Sequence, residues 1–95
     1  MFKEDLIRTV QSDSRREYIL VKEFSPEYTI YAVKGFTRKV IGKIFESHDE
    51  EKGWEIIHEF NDYTASSTLP IYTIAKSICD AYEKGGYEDE ETYKP

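Results

Sequence analysis

His48, His58, Cys79 and the run Ser66-Ser67-Thr68 are the side chains of this 95-residue chain whose types suit metal ligation or nucleophilic attack. His48 stands beside Asp49-Glu50-Glu51, all metal-binding types. Their spacing fits no metal motif, and a calcium loop needs ligands at alternate positions around a central Gly. A solvated acidic loop accounts for the same residues. His58 lies between Ile57 and Glu59 in a strand-like run. General acid–base catalysis there would need a nearby nucleophile and an orienting carboxylate, and the spacing supplies neither. Cys79 falls late in a helical segment, where the helix dipole opposes a thiolate, so a packed and inert thiol is expected. No Gly-x-Ser-x-Gly elbow surrounds the Ser/Thr run. The isolated Gly35 and Gly42 make no phosphate-binding loop. The chain therefore reads as non-enzymatic, with no metal and no cofactor.

Two binding chemistries remain. Tyr31, Phe36 and Phe45 are interleaved with Lys34, Arg38, Lys39 and Lys43. Aromatic rings that stack on bases beside cations that meet phosphates are how single strands are held. A nucleic-acid surface of this kind would use Tyr31, Lys34, Lys39, Lys43 and Phe45. The net charge of −6 argues against it, because domains that bind nucleic acid are usually basic. Lysines at sheet edges also discourage edge-to-edge pairing, which explains them without a ligand.

Charge is divided along the chain. Residues 1–45 hold nine Lys/Arg and six Asp/Glu; residues 46–95 hold four and thirteen. The acidic half carries Glu50, Glu51, Glu55, Glu59 and Asp62, the acids of 88–91, and five tyrosines. Tyrosine supplies contact area and charge steers association, so this half is the expected protein-binding surface. Spaced acids also imitate phosphates, which makes a nucleic-acid mimic one form of the same reading. The expectation is a small acidic protein-binding or regulatory protein of bacterial or phage type. The alternative is the single-stranded nucleic-acid domain.

The elements that must position these residues follow from pattern. Phe2, Leu6, Ile7 and Val10 recur at helical spacing, with Glu4 and Asp5 in the first turn, which predicts a short helix over 3–11. Ser12-Asp13-Ser14 stops it. Four strand-like runs follow, at 17–24, 28–36, 39–46 and 54–60. Their short connections favour antiparallel hairpins. Alternation in the third run groups Val40, Gly42 and Ile44 against Lys39, Ile41, Lys43 and Phe45. Neither face of any run is purely polar, so register is weakly specified. Ile71, Ile74, Ala75, Ile78 and Tyr82 form one apolar helical stripe. Ser66, Ser67 or Thr68 could cap it, Pro70 suits its first turn, and Gly85 suits a left-handed terminus.

The expected fold is therefore α+β, a two-layer α-β-β-β-β-α domain with a four-stranded antiparallel meander. Many small sheet-plus-helix domains share this layout, and no motif singles out a family. Residues 1–86 make one domain and 87–95 an acidic, disordered tail. The apolar content of the mixed sheet face suits a homodimer. One Cys excludes an intramolecular disulfide, and no apolar run approaches the ~20 residues of a membrane span. With acids at the N-terminus in place of a signal peptide, the expected location is cytoplasmic.

Overall fold

Six strands and one helix are formed by the described residues of a computed structural model, which are 7–23, 27–47, 51 and 53–86. The strands are β1 (Ile7–Gln11), β2 (Glu17–Lys22), β3 (Glu27–Lys34), β4 (Thr37–Glu46), β5 (Trp54–His58) and β6 (Tyr63–Ser67). The helix α1 is Ile71–Lys84. Each strand pairs antiparallel with the next, so sheet order follows chain order.

This sheet corrects the expected four-stranded meander at both edges. No N-terminal helix forms over 7–11; these residues are strand β1, and residues 3–6 lie outside the described residues. A helix of under three turns is marginal by itself. Ile7, Thr9 and Val10 are β-branched, and as a strand they gain a full ladder on β2. Ser12-Asp13-Ser14, expected to stop a helix, instead turns a hairpin in which the Ser12 amide donates to the Arg16 carbonyl and the Arg15 amide to the Ser12 carbonyl. At the other edge, Ser66 and Ser67 belong to β6 rather than to a helix cap. The preceding turn places Asp62 at φ 59°, and the Asn61 side chain accepts from the Tyr63 amide. Asn and Asp tolerate these conformations, which makes Asn61-Asp62 the turn signal for the sixth strand.

One face of the sheet holds the core. Val10, Tyr18, Leu20, Ile30, Ile44 and Ile56 pack there against Ile74, Ala75, Ile78, Cys79 and Tyr82 of α1. Register places Tyr28, Ala32, Trp54 and Ala65 on the same side. The expected alternation in β4 fails at one point. Ile30 pairs with Gly42 and Tyr31 with Val40, so Ile41 is an extra residue in a β-bulge. Ile41 and Gly42 thus both serve the helix side, Ile41 fully buried, while Val40 joins Lys43 and Phe45 on the opposite face. Gly42 is where the helix comes closest. A Cβ there would stand 2.9 Å from Ile78 Cγ2.

Helix α1 begins after Pro70, which occupies the cap position without a side-chain bond, so Ser66, Ser67 and Thr68 do not cap it. Its end also differs from expectation: Gly85 is right-handed at φ −77°, and the left-handed residue is Gly86 at φ 77°. A second stripe on α1, at Tyr72, Lys76, Asp80 and Glu83, ties the helix to the β1–β2 hairpin. The Tyr72 hydroxyl donates to the Thr9 carbonyl. Lys76 pairs with Asp13 at 2.5 Å, and Asp80 accepts from the Asp13 amide at 2.8 Å. Glu83 accepts from Ser12 (2.8 Å), Ser14 (2.7 Å) and the buried Tyr18 hydroxyl (2.6 Å). Burial acts upward on the Glu83 carboxyl, but these bonds outweigh it and hold the group below its usual range.

Candidate functional site

Helix α1 covers one face of the sheet; the other is open among the described residues. Strand alternation puts Ile19 and Val21 of β2, Tyr31 and Val33 of β3, Val40 and Phe45 of β4, and Ile57 of β5 on that second face. All are partly exposed, Val33 the most at 43%. Thr29 lies at the centre and is buried, flanked across the strands by Val21 and Lys43. An apolar centre of this breadth has no role in the core, which is on the far side. The overall extents of 44 × 31 × 21 Å leave a face large enough for the roughly 800 Å² that each partner contributes to a standard interface.

Charge borders this face unevenly. An antiparallel meander places the β1–β2, β3–β4 and β5–β6 turns at one end and the β2–β3 and β4–β5 connections at the other. Near the second end lie Glu23, Glu27 and Glu55. Glu23 accepts from the Tyr31 hydroxyl at 2.9 Å, and Glu27 pairs with Lys43 at 3.8 Å. Near the first end, the Arg38 guanidinium sits 5.2 Å above the Tyr31 ring.

The residues expected to bind protein are not gathered in one patch. Glu50 lies outside the described residues, as do His48 and the acids of the tail. Glu51 and Glu55 are exposed towards the acidic end; Glu59 and Asp62 belong to the β5–β6 turn, at the other end. Glu55 and Glu59 are thus roughly 13 Å apart along the strand direction. The alternative, nucleic-acid set is divided by the sheet itself. Tyr31, Lys43 and Phe45 are on the open face; Lys34 and Lys39 are on the helix side, with Lys39 Nζ 5.7 Å from the Tyr82 ring. Sequence reasoning missed Ile19, Val21, Val40 and Ile57 as site residues. The signal was present in strands that are apolar on both faces, where a one-sided sheet would show a polar outer face.

The chemistry-bearing side chains have packing explanations. His58 ends β5, half-buried between the rings of Phe60 and Tyr63 at 5.2 and 5.1 Å. Burial lowers its pKa below the ordinary 6.5. The unfolded chain therefore binds the proton first, and stability present above pH 6.5 is lost as pH falls below it. His58→Phe should flatten the fall of stability between pH 7 and 5, measured by urea denaturation at each pH. Cys79 is fully buried, and burial pushes its thiol up to about 12, which keeps it protonated and unreactive at neutral pH. No three His, Cys, Asp or Glu side chains among the described residues converge as metal ligands. No described helix is long and apolar enough to cross a membrane. Compared with family models, curated proteins and solved structures, the chain matches none.

Proposed function

We propose that this protein is a small non-enzymatic binding module that docks a protein partner through the open face of its sheet. The observation that supports it is the apolar centre of that face, with Ile19, Val21, Tyr31, Val40, Phe45 and Ile57 partly exposed and no described element over them. The partner should present an apolar surface with a basic border. Its cations would meet Glu23, Glu27 and Glu55, adding steering and register to an attachment held by apolar burial. The acids at Glu50, Glu51, Glu59 and Asp62 then serve approach and solubility more than contact. A cytoplasmic regulatory or accessory role suits a single domain of this size whose one thiol is buried.

Central apolar contacts carry most of an interface's energy, and a charge in the centre is left unpaired. Phe45→Lys or Ile57→Lys should weaken partner binding by about 30-fold or more. Thr73→Lys, on the exposed side of α1, should not. The check is quantitative co-purification of the partner from producing cells, with thermal melts showing that each variant is folded. Equal binding by Phe45→Lys and the parent would remove the open face as the site. Binding lost instead on charge reversal of Glu59 and Asp62 would return it to the acids.

A further inference from the structure

Phe36 stands wholly outside the protein. Its exposure is 107% of its reference area, against 55% for the next large apolar side chain described. Gly35, at φ 60°, lets a two-residue turn close the β3–β4 hairpin with Phe36 at its apex. Folding gives no reason for a ring there, since Ser, Asn or Asp would serve the turn and stay wetted. The last ladder pair, Lys34 and Thr37, lies on the helix side with Lys39; Arg38 lies on the other side over Tyr31. Cations therefore stand on both sides of one projecting ring. On the helix side, Arg16 from the β1–β2 turn joins Lys34 and Lys39 around a small notch floored by Tyr18 and Tyr82 and bordered by Glu17.

We propose that the β3–β4 hairpin tip is a contact site for single-stranded nucleic acid. Phe36 stacks on a base. Lys34, Lys39 and Arg16 meet phosphates on one side, and Arg38, 5.2 Å over the Tyr31 ring, offers a cation and a second stacking surface on the other. This arrangement favours a nucleic acid over a lipid surface, because membrane insertion needs several neighbouring apolar side chains and Phe36 stands between Gly35 and Thr37. The net charge of −6 does not forbid it. Glu23, Glu27 and Glu55 are at the opposite end, several strand residues away; Glu17, Glu59 and Asp62 share this end but are exposed, and screening of such charges acts over about 10 Å at 0.1 M salt. The site is at the end of the sheet and meets the docking face only through Arg38 and Tyr31.

The test is fluorescence anisotropy of a labelled oligothymidine of about twelve nucleotides with the full chain, repeated from low to moderate salt. Wild type should bind, with a log–log salt slope of about −0.7 per phosphate neutralised. Phe36→Ala should weaken binding by about 5- to 100-fold and leave the slope unchanged, because stacking releases no counterions. Lys34→Ala should flatten the slope by about 0.7. Both side chains are exposed, so the variants should keep the parental circular dichroism. The proposal is overturned by absence of binding at low salt, by affinities unaffected in both variants, or by Phe36-dependent binding to phosphatidylserine vesicles without binding to the oligonucleotide.

Discussion

Gly42→Val should lower the stability of the domain by about 3 kcal/mol, the upper part of the range for overpacked cores. In a domain of this size that corresponds to a fall in Tm of roughly 12–24 °C. The reason is geometric. Even a single Cβ at Gly42 would stand 2.9 Å from Ile78 Cγ2, 3.3 Å from Ile78 Cδ1 and 3.3 Å from the Ile57 carbonyl. Ile78 is fully buried among the core side chains, and its Cγ2 is fixed close to the helix backbone, so it cannot swing aside. The helix must lift off the sheet or the strand must bend. A double-mutant cycle separates this from a change in strand propensity. With Ile78→Ala present, the cost of Gly42→Val should shrink by more than 1 kcal/mol, because the contact that opposed it is gone. Equal costs in both backgrounds would mean that α1 does not lie on Gly42.

Glu83→Ala should cost about 2 kcal/mol, the next largest effect expected here. Glu83 is partly solvated, so its charge contributes modestly; the penalty comes from what it leaves behind. Tyr18 is 1% exposed and would keep a buried hydroxyl without its acceptor. Glu83→Gln retains an acceptor oxygen and should cost about half as much. The acid limb gives a second reading. The folded Glu83 carboxyl is held below the ordinary 4.5, so the unfolded chain takes up its proton first. The stability that Glu83 supplies is present above pH 4.5 and lost as pH falls through the folded value. Wild type should therefore lose its stability advantage over Glu83→Gln on acidification, followed by urea denaturation between pH 6 and 3. An advantage that persists at pH 3 would contradict the latch.

The apolar stripe of α1 was legible because four of its residues recur at 74, 75, 78 and 82, and the structure buries all four. Its polar neighbour stripe was not. Tyr72, Lys76, Asp80 and Glu83 read as a wetted face until the β1–β2 hairpin is known to lie beside them. The three inner hairpins were legible from their turns. The edge strands were not, because each gains its order from its one neighbour rather than from its own pattern. Ile7 and Val10 are at a helical spacing and fall on opposite faces of a strand, so only the pairing with β2 makes residues 7–11 a strand. The bulge at Ile41 has no sequence signal and reverses the faces of Val40 and Ile41 at a single step. That reversal moves Val40 onto the open face, which is why the docking surface was not assembled from alternation alone. The exposed ring of Phe36 was visible in sequence as one of several interleaved aromatics, without any sign that it alone would project.

Photo-crosslinking through a benzoylphenylalanine placed at Val40, at Phe45 or at Thr73 tests the docking proposal most directly. The full chain is produced in its host, irradiated, and the adducts are mapped by mass spectrometry. The account predicts one heterologous protein joined from Val40 and Phe45, through a segment of apolar residues bordered by Lys or Arg, and no such adduct from Thr73. Adducts from Thr73 alone, or none from the sheet positions, would contradict it. So would a Val40 adduct with a second copy of the chain, which would make the open face a self-interface instead.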